Sequence, residues 1–117
     1  MSDGARDPVV TAERATPEGC ALELEVPGDL AWCRGHFPGY PIVPGVVLVH
    51  WALAQGHRRF ATPASAPIAL QVKFRRPVRP GDRLTLELRH AAAQRRLSFA
   101  YRDAETICSS GQATFAP

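Results

Sequence analysis

The chain has 117 residues, 45% of them hydrophobic and 21% charged, which suits one folded core and excludes both a disordered chain and a second core of useful size. Its net charge of +3 is far below the basic block that a nucleic-acid arm or polybasic anchor carries, and no apolar run approaches the roughly 20 residues of a membrane span. The opening, Met1 to Asp7, lacks the apolar stretch of a secretory signal; Cys20, Cys33 and Cys108 form no CxxC pair and leave one thiol over in any disulfide scheme. These features are read as a cytoplasmic chain whose thiols pack as small apolar side chains.

Residues 1–17 are polar and small without sustained periodicity, and are predicted as a loosely ordered lead-in with room for a short edge strand; residues 18–117 form the single domain. From Cys20 the pattern alternates, with Cys20, Leu22, Leu24 and Val26 on one face and Ala21, Glu23 and Glu25 on the other, the period of a half-buried strand. Pro27-Gly28-Asp29 makes a turn, and Leu30 to Trp32 is a second short extended piece. The stretch from Gly35 to Gly45 carries three prolines besides its glycines and must be loop, because each proline removes a donor and restricts the residue before it.

Val46 to Phe60 is predicted as a helix. Its valines permit a strand, but its length, its alanines and a basic last turn at His57, Arg58 and Arg59 decide against one. The first half is apolar except for His50, so the helix is expected to be buried nearly all round. Beyond the break at Thr62 to Pro67, alternation marks strands over Ile68 to Phe74, around Leu84, Leu86 and Leu88, around Leu97, Phe99 and Tyr101, and over Ile107 to Phe115. One long helix followed by a four-strand antiparallel meander, with one or two strands before it, gives an α+β fold, a curved antiparallel sheet wrapped around a central helix.

Among four histidines, two stand in unusual surroundings: His36 in the Gly/Pro loop and His50, the single titratable group on the apolar half of the helix. The residues Gly35-His36-Phe37-Pro38-Gly39, Pro41-Ile42 and Pro44-Gly45-Val46 resemble the motif of the FabA/FabZ-type 3-hydroxyacyl-acyl carrier protein dehydratases. The segment from Val72 to Asp82 and the run from Gly111 to Phe115 are similar to later stretches of that family, so the resemblance covers nearly the whole chain. It implies a hot-dog fold working as a dimer with active sites at the subunit interface, no metal or organic cofactor, and a substrate carried on the phosphopantetheine of acyl carrier protein. In that family the motif histidine is the base, and a Glu or Asp fourteen positions later is its acidic partner. Here that position holds His50, and the glutamine that often follows one turn later falls at Ala54, with Gln55 one place on.

Such a reaction needs a base near the α-carbon, an acid for the β-hydroxyl and donors for charge on the thioester oxygen. Imidazole suits the base, its ordinary pKa of about 6.5 keeping much of it neutral near pH 7. The amides of Gly45 and Val46, unpaired in a first helical turn, suit the oxygen. Two imidazoles facing one dry site separate into a neutral base and a cationic donor, which assigns His36 as base and His50 as acid; the reverse assignment and loss of the second function stay open. Phe37, Pro38, Gly39, Tyr40 and Trp51 are candidates to line the acyl site, and Arg58, Arg59, Arg75, Arg76 and Arg79 to steer the acidic carrier.

The Pro44-Gly45-Val46-Val47 opening and Trp51 are similar to a branch acting in aryl-polyene synthesis, which would make the acyl chain a polyene. A thioesterase on the same fold and a silent subunit of a heterodimeric dehydratase are the alternatives, homodimer and heterodimer both being open. A zinc site from Cys33, His36, His50 and His57 fits no common ligand spacing, and nothing in the sequence marks Cys33 as an activated nucleophile.

Overall fold

The computed structural model describes residues 6–29 and 42–117. Six strands, β1 (Val9–Thr16), β2 (Gly19–Glu25), β3 (Ala69–Phe74), β4 (Arg83–Ala91), β5 (Arg96–Asp103) and β6 (Thr106–Thr114), form one antiparallel sheet, against which lies helix α1 (Gly45–Phe60). Alternation decides the faces. Leu84, Leu86 and Leu88 of β4 and Leu97, Phe99 and Tyr101 of β5 are buried under the helix, while the residues between them turn to the other side. Register carries this across the sheet: Leu22 pairs with Leu86 and Leu86 with Tyr101, so apolar side chains line up in rows beneath α1. This is the curved sheet around one helix that the resemblance implies, a hot-dog fold.

The strand order is β1-β2-β4-β5-β6-β3, which corrects the expected four-strand meander. Of the four strands after α1, only β4, β5 and β6 follow one another as hairpins, and β3 sits on the far edge of β6. The connection from Arg75 to Asp82 therefore crosses three strand spacings, roughly 14 Å, well within the roughly 26 Å that eight extended residues can reach. Hydrogen bonds pin the crossing at both ends, from the Arg75 and Arg76 amides to the Cys108 carbonyl (2.8 and 3.0 Å) and from the Val26 amide to the Asp82 carbonyl (2.8 Å). Val78, 1% exposed, anchors its middle in the core.

The lead-in, read as having room for a short edge strand, supplies β1, an eight-residue edge strand paired with β2 through the two-residue turn at Pro17 and Glu18. Its mostly outward side chains gave it no sustained alternation, since an edge strand held by backbone pairing needs little. The extended piece expected at Leu30 to Trp32 lies outside the described residues.

Helix α1 stops where its basic last turn predicts: Ala61 takes a left-handed conformation (φ 54°) and its amide donates to the His57 carbonyl at 3.1 Å. Trp51, Ala52, Gln55 and Gly56 face the sheet. Gly56 is required by packing, because a Cβ there would stand 2.3 Å from Leu97 Cδ2. The expectation of burial all round is corrected: Val46 is 75% exposed and His50, one turn on, is exposed too. One sheet covers one side of a helix, and within this chain the opposite face of α1 has no cover among the described residues. Ile68, just before the edge strand β3, and Leu70 and Phe74 on it are also large apolar residues left exposed. At 16 residues, α1 is not long and apolar enough to cross a membrane, nor is any other described helix.

Candidate active site at the start of helix α1

Proline at position 44 fixes the entry to the helix. Pro44 (φ −58°, ψ 141°) is the N-cap, and its carbonyl accepts the amides of Val47 at 3.0 Å and Leu48 at 3.3 Å. A proline has no side-chain acceptor to offer the first turn, and among the described residues no other side chain caps it. The Gly45 and Val46 amides therefore point outward at the positive end of the helix dipole, the arrangement that receives a developing negative charge. The approach is held from behind by the Val43 amide, which donates to the Val78 carbonyl at 2.7 Å and ties the helix entry to the β3–β4 crossing.

Phe74, the last residue of β3, completes this corner. A Cβ on Gly45 would meet its ring, with 2.6 Å to Cζ and 2.8 Å to Cε1, so only glycine lets the ring lie against the first turn. The ring is 57% exposed, so this contact holds it only on one side. In register beside Phe74 stand Ser109 and then Tyr101. Tyr101 donates its phenol proton to the Leu48 carbonyl at 2.6 Å; burial pushes its pKa far above the usual tyrosine range, and it stays protonated. Ser109, 1% exposed, has a hydroxyl without a partner among the described residues. Strand alternation gave no signal for Phe74 or Ser109 as site residues, because one reads as an ordinary apolar position and the other as an ordinary small one.

The sequence candidates fall into three groups. Gly45, Val46 and His50 come together on the opening of α1, with His50 one turn beyond Val46 on the exposed face. His36, Phe37, Pro38, Gly39 and Tyr40 lie outside the described residues, as does Cys33. Trp51 belongs to the core: it is 2% exposed, and its indole N–H donates to the Arg6 carbonyl at 3.0 Å, so it is fixed between the sheet and the N-terminal segment. Gln55 is buried on the sheet side and accepts a hydrogen bond from Arg59, which turns it away from His50.

The five arginines divide. Arg75, Arg76 and Arg79 lie on the crossing beside the start of α1, whereas Arg58 and Arg59 are at its far end, thirteen residues or roughly 20 Å away. Arg59 is also engaged, bridging to Glu13 of β1 at 2.8 Å. His57 bonds the Thr62 carbonyl through Nδ1, and His90 stacks on Phe60 with ring centres 5.2 Å apart; both are structural contacts. Cys20 and Cys108 are free and buried, and burial raises the pKa of both thiols.

A large concavity lies elsewhere. An open trough of about 1140 Å³ runs over the outer face of the sheet, floored by Ser98, Ala100 and Ser110. Among the described residues, neither His50 nor the first turn of α1 lines it, so its size does not make it the reaction site.

Residues 12–112 match the family model described as ApeI-like, ApeI dehydratase. The 3-hydroxyacyl-[acyl-carrier-protein] dehydratase FabZ of Oenococcus oeni is 41% identical over 90 residues, covering 66% of this chain and 63% of that protein. The FabZ of Thermomicrobium roseum is 39% identical over 71 residues, 54% of this chain and 47% of the relative. The chain thus spans about half to two thirds of the length of these relatives. Among solved structures, a chain of the dehydratase heterocomplex ApeI:P from Xenorhabdus doucetiae superposes with a TM-score of 0.82 at 26% identity, covering 92% of this chain and 96% of that one.

Proposed function

From the premise that the chain belongs to the ApeI-like dehydratase family, we propose that it removes water from 3-hydroxyacyl thioesters on acyl carrier protein, giving trans-2-enoyl thioesters in fatty-acid or polyene lipid synthesis. The observation that carries this reading is the first turn of α1, where Gly45 and Val46 present amides that no side chain among the described residues caps, immediately after the histidine-bearing loop motif. Those amides receive the thioester oxygen as negative charge builds on it. Losing one donor of this kind typically costs about 2.7–4 kcal/mol of barrier.

In this reading neutral His36 takes the α-proton. The electron pair of that C–H bond forms the new double bond as the C3–O bond breaks, and protonated His50 gives its proton to the departing hydroxyl, which leaves as water. His50 stands where the family resemblance implies a carboxylate, and its exposed position on α1 supports a role toward something outside this chain's own core. Phe37, Pro38 and Gly39 would shape the mouth. The chemistry needs no metal or organic cofactor, the acyl group arriving on phosphopantetheine.

The uncovered side of α1 and the edge strand β3, with Val46, Ile68, Leu70 and Phe74 exposed, support a second hot-dog subunit packing there. We assign this chain to a dimer, and the heterocomplex named for the Xenorhabdus structure favours a related but different subunit as its partner. The test is incubation with a 3-hydroxyacyl carrier-protein thioester, alone and with the candidate partner, followed by intact-mass analysis. Loss of one water supports dehydration, free acid would replace it by hydrolysis, and activity only with the partner would make this chain the supporting subunit.

A further inference from the structure

We propose that Ser109 is a selectivity residue of the acyl site, its buried hydroxyl discriminating against saturated acyl chains long enough to lie across it; this rests on the thioester binding at the first turn of α1 proposed above. Register places the residue. Phe74 pairs with Ser109 and Ser109 with Tyr101, and register partners share a face of the sheet. That face is the inner one, since the Tyr101 hydroxyl reaches the Leu48 carbonyl and the Phe74 ring lies against Gly45. The row continues through Leu86 to Leu22, so Ser109 is its one short side chain, set between two rings that both meet the first turn of α1. The position is held from two sides. Ser109 pairs with Tyr101 but Ile107 with Arg102, which makes Cys108 an extra residue, a β-bulge, and the Arg75 and Arg76 amides both donate to its carbonyl. Bulges re-aim the side chain beside them and are common next to active sites. Here that side chain carries a hydroxyl, 1% exposed and with no partner among the described residues, where packing alone would favour an apolar group.

With the thioester oxygen at the Gly45 and Val46 amides, the acyl chain has a way inward past Phe74, whose ring is 57% exposed and held on one side only. Ser109 lies one strand spacing farther in, roughly 5 Å, and Tyr101 one more. An extended chain advances roughly 1.2 Å per bond, so a four-carbon acyl group reaches roughly 4 Å beyond the thioester carbon and a ten-carbon group roughly 11 Å. Only the longer one lies across Ser109. A saturated segment there shuts water away from the hydroxyl and offers no hydrogen bond in its place. A chain too short to reach leaves the hydroxyl to water. Tyr101 imposes no such penalty, because its own hydroxyl is already bonded to Leu48.

The test compares 3-hydroxybutyryl and 3-hydroxydecanoyl thioesters on carrier protein, with the full chain and its partner subunit if the pair is needed. In Ser109→Ala the ratio of kcat/KM for the ten-carbon over the four-carbon substrate should rise at least tenfold above wild type. Ser109→Thr, which keeps the hydroxyl, should show no such rise. A serine with a merely structural role would move both substrates together. An unchanged ratio in Ser109→Ala overturns the inference and sends the chain along the exposed side of α1, and an equal rise in Ser109→Thr overturns it too. Ser109→Ala should melt no lower than wild type, because it removes an unpaired buried hydroxyl; a lower Tm would show that hydroxyl to be paired and overturn the inference as well. Binding is read apart from turnover, by calorimetry with unreactive thioether analogues of the two acyl-pantetheines, and Ser109→Ala should tighten Kd for the ten-carbon analogue relative to the four-carbon one by at least tenfold. A wild-type chain that binds both analogues but dehydrates neither substrate fails the proposed reaction, and an unchanged ratio of Kd values then overturns the role of Ser109 by itself.

Discussion

Two glycines on one helix separate site chemistry from packing. At Gly45 an added Cβ would stand 2.6 Å from Phe74 Cζ, but that ring is 57% exposed and can swing into solvent. Gly45→Ala should therefore change stability by less than about 1 kcal/mol, the lost ring contact being offset by alanine's better helix propensity. At Gly56 the added Cβ would stand 2.3 Å from Leu97 Cδ2, and Leu97 is 0% exposed. Overpacking of this kind costs about 1–3 kcal/mol, and helix propensity returns at most about 1. Gly56→Ala should thus lower Tm by several degrees, since each kcal/mol moves a domain of this size by roughly 3–8 °C. Activity should show the opposite order. The methyl in Gly45→Ala and the displaced ring crowd the approach to the Gly45 and Val46 amides, so kcat/KM should fall at least tenfold, about 1.4 kcal/mol of barrier, while Gly56→Ala should keep its kcat/KM below its melting range. Paired thermal melts and initial rates on the carrier-bound substrate decide it. A fully active Gly45→Ala would refute the first turn as thioester cradle, and a Gly56→Ala that melts higher than wild type would refute the packing argument.

Other outcomes follow from the same contacts. His50→Ala should lower kcat with Tm within about 1–2 °C of wild type, because the side chain is exposed; an unchanged rate would remove His50 as acid. Tyr101→Phe should cost about 0.5–1.5 kcal/mol in urea unfolding through loss of the bond to Leu48. It should also change the alkaline limb: the folded phenol is held protonated by burial, so above pH about 10 the unfolded state alone releases that proton and wild-type stability falls with rising pH. Tyr101→Phe should lack that part of the fall, and coincident slopes from pH 9 to 11 would contradict it. Cys20 and Cys108, buried with raised pKa values, should escape iodoacetamide at pH 8 until denaturant is added, as read by peptide mass mapping.

Much of the architecture was legible because apolar alternation reports burial directly. The leucines of β4 and the Cys20-to-Val26 run declared their strands, and the basic last turn declared the end of α1. Topology was less legible: alternation in Ile68 to Phe74 says that a strand exists and nothing about its neighbour, so β3 was placed beside β4 when the buried Val78 crossing carries the chain past it. The exposure of α1 was misread for a related reason. Val46 is apolar for a surface that another subunit covers in the proposed dimer, and composition alone cannot distinguish that from a core position. Trp51 was a candidate to line the acyl site, with a core position as the alternative for that group; one step along a helix turns a side chain by roughly 100°, which carries Trp51 to the core and leaves His50 outside. Gly45 and the proline before it were the informative pair, since Pro44 withholds a cap and Gly45 withholds a side chain.

The most direct test follows the mass of a 3-hydroxyacyl thioester on its carrier protein during incubation with wild type and with His36→Ala, each in the assembly the chain forms. The expected result is loss of one water with wild type and a rate at least a hundredfold lower with His36→Ala, in line with the contribution of a general base. Dehydration at the wild-type rate by the His36→Ala protein would contradict the account.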